Sequence, residues 1–257
     1  MRAIWSGAIG FGLVNIPVKL YSAIQGSELD LDMLDKKDYA NIKFKRVNAN
    51  TGREVTWDNI VKGYKVDDQY VILTDKDFES ASPEKSKIIE ITEFVNEKEI
   101  DSIYFETPYY LQAAKGGEKA YALLRDALAK TGKVGLGTYV LRSRESLVLI
   151  KPLDDILVLN KIRFEQEIRD HDEIKAPPIN SKTTEMKMAI QLIEQLSGEF
   201  DISKYKDTYS EKLLKLIKAK AKGKPIKQSP LKLVHSSSRD LASQLKASLG
   251  SPKRKVS

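Results

Sequence analysis

The 257 residues contain no cysteine, which excludes disulfides, thiolate catalysis and cysteine-based zinc sites. Histidine is almost as scarce. His171 and His235 are the only two, too few for a histidine metal cluster or for much general-base capacity at neutral pH. No apolar run approaches the roughly 20 residues of a membrane-spanning helix, and the opening MRAIWSGAIGFG lacks the apolar centre and small-residue cleavage site of a signal peptide. The sequence has no Gly-x-x-x-x-Gly-Lys-[Ser/Thr] loop. Gly10-Phe-Gly12-Leu-Val-Asn15 lacks a third glycine and a following helix, so ATP binding has no support. No nucleophile elbow or carboxylate metal cluster stands out, and the neighbouring acids Asp154-Asp155 fall where a hairpin turn explains them. These absences point to a binding protein of the cytoplasm or nucleoid with no catalytic centre, metal or cofactor.

What is present suits a globular chain. At 41% hydrophobic and 31% charged, the sequence can build one large or two smaller domains. Its formal charge of +7 is unevenly placed. Beyond residue 202, fifteen Lys and Arg stand against three acids, Asp207, Glu211 and Asp240, whereas residues 67–106 hold twelve acids and four lysines. Segregation of this kind favours one oriented contact with a polyanion over general stickiness.

The most telling stretch is Tyr39–Lys65. Ile42, Phe44 and Val47 lie among Lys43, Lys45 and Arg46; Asn-Ala-Asn-Thr-Gly then makes a turn before Val55 and Trp57. The spacing predicts a β-ribbon. Side chains alternate along a ribbon, so a cationic row can leave one face while apolar groups hold the other. Between 36 and 65 there are eight positive charges and three negative ones. An arm with little means of burying itself and a row of cations reaches toward a polyanion; a solvated edge hairpin guarded by lysines is the alternative.

Along the rest of the chain, residues 3–23 read as a strand entered through glycine bends. Residues 69–74, 87–95 and 103–111 follow as strands, with Pro108 placing the last at an edge or bend. A helix with Ala120, Leu123, Leu124, Ala127 and Leu128 on its apolar face stops at Gly132. Segments 134–141, 147–153 and 156–162 form a meander that closes a barrel with the earlier strands. Lys175-Ala-Pro-Pro178 marks a boundary, after which the pattern turns helical. Thr184 caps one helix, with Met188, Ile190, Ile193 and Leu196, and another carries Tyr209, Leu213, Leu216 and Ile217 on one stripe with five lysines elsewhere, either a solvated face or a phosphate contact. Residues 223–238 read as a linker. Ser238 caps a last short helix with Leu241, Leu245 and Leu249, which either packs on its own body or serves a partner's groove. Trp5, Trp57, Tyr64, Tyr109 and Tyr110 are expected in the core, not stacked on bases.

The opening Ile4–Ala23 closely resembles the start of bacterial Ku proteins, the DNA-end-binding factors of non-homologous end joining. Four further blocks agree in order: Asn59-Ile-Val-Lys-Gly-Tyr64, Pro108-Tyr-Tyr-Leu111, Lys115-Gly-Gly-Glu-Lys-Ala-Tyr-Ala-Leu-Leu-Arg125 and Tyr139-Val-Leu-Arg-Ser-Arg-Glu145. The resemblance implies a mainly β fold, a Ku-type, SPOC-like barrel over 1–176 with a projecting ribbon at about 36–66, a helical dimerisation arm over 177–223, and a basic linker with a C-terminal helix over 224–257. It implies a ring-shaped homodimer threaded by the end of a linear duplex, and recruitment of the ATP-dependent DNA ligase D through residues 240–249. Many relatives carry Cys-x-x-Cys at the ribbon turn. Asn48 and Thr51 stand there instead, which removes any metal or redox role and leaves an Asx-type turn.

A ring that slides onto any end must contact sugar and phosphate instead of bases. The candidate DNA contacts are Lys36, Lys37, Lys43, Lys45, Arg46, Arg53 and Lys62 in the ribbon, with Arg142 and Arg144 at the meander turn. Leu213, Leu216 and Ile217 are candidates for the dimer interface, with packing inside their own chain as the alternative, and Leu241, Leu245 and Leu249 for the ligase contact. The competing function is a barrel that binds duplex DNA or RNA with no preference for ends; a membrane-surface adaptor is a more distant third.

Overall fold

A computed structural model describes residues 1–81, 87–141, 144–177, 183–223 and 241–250. Seven strands close a barrel: β1 (Trp5–Phe11), β2 (Val14–Ser22), β5 (Ile88–Asn96), β6 (Phe105–Ala113), β7 (Lys133–Leu141), β8 (Arg144–Leu153) and β9 (Ile156–Ile162), in the order β1-β2-β6-β9-β8-β7-β5. The expected barrel is therefore the observed one. The ring shuts where β1 and β5 run parallel, Ala8 opposite Ile88. The single strand expected over 3–23 is a hairpin, β1 with β2, because Gly12 takes the left-handed region at φ +55 and reverses the chain.

Alternation sorts the side chains. Ile16, Val18 and Leu20 on β2, Leu111 on β6, Val148 and Ile150 on β8, and Leu157 and Leu159 on β9 share one buried cluster with Ile9, Ile89 and Tyr139. Their neighbours Leu147 and Leu149 instead join Val134, Leu136 and Ile162 in a second cluster, packed with Ile100 and Tyr104 from the segment before β6. Pro108 does not mark an edge. β6 pairs with β2 on one side and β9 on the other, and the proline is absorbed by a break in register between Phe105 and Pro108.

The helix α2 (Glu118–Thr131) lies against β8, β7 and β2 and places Tyr121, Leu124 and Leu128 in the main core. Gly132, at φ +65, ends it in the left-handed cap expected of glycine. The Tyr121 hydroxyl donates to the Leu111 carbonyl and accepts from the Leu157 amide, each at 2.6 Å, and so joins β6 to β9. Burial pushes that phenol's pKa up against the opposing pull of the Leu157 amide.

The strands β3 (Lys62–Val66) and β4 (Gln69–Leu73) form a separate two-stranded sheet, followed by α1 (Asp75–Ala81). Barrel, arm and this sheet belong to one compact unit, Met1–Gly26 with Asp32–Asp170. The other unit, Ser27–Leu31 with His171–Ser257, contains α3 (Thr183–Leu196), α4 (Thr208–Ala221) and α5 (Leu241–Leu249). Within it α5 packs against α3. Asp207 caps α4, accepting from the Tyr209 and Ser210 amides at 3.0 and 3.1 Å; bonds from Ser210 first, and from Ser27 among others, hold its carboxyl below the usual range. Among the described residues no helix is long and apolar enough to cross a membrane.

Candidate nucleic-acid interface

The cationic arm is a series of short reversals. Leu34 bridges Asn41, and Val47 bridges Glu54. Backbone bonds from Asp35 to Ala40, Ile42 to Met33, Asn48 to Arg53 and Val55 to Arg46 frame two small hairpins. The regular ladder falls later than expected, in β3 with β4, and not in the 39–57 stretch, whose pairing is limited to these bridges. At the second turn the Asn48 side-chain oxygen accepts from the Asn50 and Thr51 amides at 2.9 and 3.1 Å, and Gly52 sits at φ +67. An Asx turn thus sets the tip.

Seven of the nine candidate DNA contacts lie on this arm and its sheet. Lys36 and Lys37 occupy the first turn, Lys43, Lys45, Arg46 and Arg53 flank the second, and Lys62 opens β3; all are exposed. Their partners differ. Lys45 is paired with Glu54 at 2.7 Å, the Arg46 guanidinium lies over the Trp57 ring at 3.8 Å, and the Lys62 ammonium lies over Phe78 at 4.6 Å. Lys36, Lys37, Lys43 and Arg53 form no ion pair among the described residues. Arg144 is the exposed first residue of β8, and Arg142 lies outside the described residues.

Three of the five aromatic residues expected in the core are not in it: Tyr110 is half-buried outside both core clusters, and Trp57 and Tyr64 are exposed. Trp57 is 69% exposed and Tyr64 is also out in solvent, because the arm has no second layer to bury them. Trp5 does pack on the barrel core, edge-to-face with Tyr139 at 6.1 Å, and Tyr109 joins the same cluster. On the two-stranded sheet every side chain except that of Leu73 is exposed, including Tyr64, Val66, Tyr70, Val71 and Ile72. A lone hairpin is marginal in water. Apolar groups on both of its faces are left in water.

In the helical unit, Leu213 is half-buried while Leu216 and Ile217 are exposed, so the α4 stripe retains apolar surface. On α5, Leu245 and Leu249 are half-buried and Leu241 is exposed. The expected linker, 223–238, lies outside the described residues from 224 onward. Sequence reasoning missed two features of the site: Glu54 as a counter-ion inside the cationic row, and the Arg46–Trp57 stack. The separation of eleven residues across a turn was the available signal for the stack.

The chain's similarity to known proteins is consistent along most of its length. The sequence profile described as the Ku70/Ku80 beta-barrel domain matches residues 10–188. Proteins named "Non-homologous end joining protein Ku" from Coxiella burnetii and Bacillus subtilis are 39% and 38% identical, covering 88% and 99% of this chain and 85% and 83% of their own lengths. A protein of the same name from Pseudomonas aeruginosa is 41% identical over 86% of this chain and 77% of its own.

Proposed function

This chain belongs to the Ku family, and we propose that two copies of it form a ring that binds the ends of linear double-stranded DNA without reading sequence. In non-homologous end joining the ring then recruits and stimulates the ATP-dependent ligase D. The observation that carries the reading is the arm: an exposed, coreless segment with Lys36, Lys37, Lys43 and Arg53 free of ion pairs among the described residues, beside a hairpin with apolar side chains exposed on both faces. The cations suit sugar-phosphate contacts, which position a duplex without specifying its sequence. The exposed hairpin suits a second copy, since a ring under load needs a large permanent interface, on the order of 2,000 Å² or more.

Leu213, Leu216 and Ile217 on α4 serve dimerisation in this reading. The helix α5 supplies Leu241, Leu245 and Leu249 to the ligase. Its contact with α3 means that the ligase either reads the exposed edge around Leu241 or displaces the helix. Nothing in the proposal calls for chemistry by the protein itself.

Competition between linear and relaxed circular plasmid tests the reading, with the full chain and with a version lacking 224–257. Linear DNA should win with both proteins, while ligase stimulation should be lost with the truncation. Equal competition by circles would favour a general duplex or RNA binder.

A further inference from the structure

One face of the arm carries groups that phosphate contacts leave unexplained. The Val47–Glu54 bridge fixes the alternation of this hairpin: Lys45, Val47 and Glu54 project to one side, Arg46, Arg53 and Val55 to the other. On the first side Glu54 already neutralises Lys45. On the second, the Arg46 guanidinium covers one face of the Trp57 indole at 3.8 Å, yet the residue stays 69% exposed. Phe44, one alternation before Arg46, is 79% exposed. Leaving so much aromatic surface in water costs stability unless something covers it.

A flat ring braced by a cation on one face and exposed on the other, with a second arginine further along the same side of the hairpin, is suited to a nucleobase. Every base offers a π-face to stack on, and an arginine can hold the adjoining phosphate. The bases of an intact duplex are already stacked on one another. Only unpaired bases are available to such a ring.

We propose that Trp57, braced by Arg46, with Arg53 further along the same side of the hairpin, is a stacking platform for an unpaired base of a single-stranded overhang at a duplex end. The proposal rests on the reading that the arm meets DNA ends, and it adds a discrimination among ends that a sugar-phosphate grip does not supply.

The chain has two tryptophans, so Trp5→Phe leaves Trp57 as the sole indole emitter. That protein is titrated with a blunt duplex and with the same duplex carrying a short oligo-dT overhang. The overhang should quench Trp57 emission while the blunt duplex does not. It should also bind about fivefold more tightly or better, the lower end of what one base stacked on an aromatic side chain contributes. In the parent background Trp57→Leu should abolish that preference, bringing the ratio of overhang to blunt affinity to about one, and Trp57→Phe should keep part of it. The platform is overturned if the overhang leaves the emission unchanged, if both duplexes quench alike, or if Trp57→Leu weakens binding to both equally, as a role in dimer contact would. Failure of end binding itself shows separately, as equal competition by closed circular and linear blunt DNA. Failure of the platform alone shows as unchanged emission in a protein that still prefers linear blunt DNA.

Discussion

The pairing of Lys45 with Glu54 divides the arm's cations into free and compensated ones, and salt dependence of binding should reveal the division. Each lysine that contacts a phosphate and releases its counter-ion adds about 0.9 to the slope of log affinity against log salt, roughly a 3.5-fold change in affinity between about 50 and 200 mM. Lys43 has no ion pair among the described residues, so Lys43→Gln should lower the slope by close to that full amount. Lys45 brings its own counter-charge at 2.7 Å, and Lys45→Gln should lower it by clearly less. Glu54→Gln releases Lys45 and should raise both affinity and slope, by up to about 0.9 in the latter. The pair is exposed, worth no more than about 1 kcal/mol to folding, so none of the three changes should unfold the arm. Fluorescence anisotropy of a labelled blunt duplex across that salt range measures the slopes. Equal slopes for Lys43→Gln and Lys45→Gln, or weaker binding by Glu54→Gln, would refute the division.

Other expectations concern the scaffold. A Cβ at Gly137 would lie 2.0 Å from the Glu90 carbonyl oxygen, so Gly137→Ala should lower the denaturation midpoint, at a cost of about 1–3 kcal/mol or more. Tyr121→Phe strands a buried carbonyl at Leu111 and an amide at Leu157, and should cost about 1–3 kcal/mol in denaturant titrations. Burial, then Tyr109 and Glu106, pushes the Tyr139 phenol up to about 12. Its folded pKa therefore exceeds its unfolded one, so its contribution is complete below the unfolded value near 10 and is lost as pH rises through 12. The fall in Tm across that window should be shallower in Tyr139→Phe. For Asp207 the sign is reversed: its carboxylate caps α4 with a lowered pKa, so the helix should fray as pH falls through that lowered value, and Asp207→Ala should show faster amide exchange at the first turn of α4 at neutral pH.

Much of the barrel was legible because its strands alternate against a core. The meander strands fall within a few residues of their expected bounds, at Lys133–Leu141, Arg144–Leu153 and Ile156–Ile162, while α3 covers Thr183–Leu196, so that Thr184, expected as its cap, lies inside it. The parallel closure of β1 on β5 was not legible, since nothing local to Ala8 or Ile88 encodes which distant edge it will meet. Residues 75–81 form α1 although their acids carry no helical apolar stripe; Thr74 and Asp77 start it through side-chain hydrogen bonds at 2.7 Å. The arm shows the limit of periodicity. Alternation around Val55 and Trp57 looks the same whether a second layer covers it or not, so the pattern could suggest a strand but not that Trp57 and Tyr64 stay exposed.

Topological trapping tests the threaded ring most directly. Protein loaded on a linear duplex whose two ends are then blocked by bulky adducts should survive a high-salt challenge and dissociate once either block is cleaved off. Release at the same salt whether the ends are blocked or free would contradict the ring and leave an open cationic arm in its place.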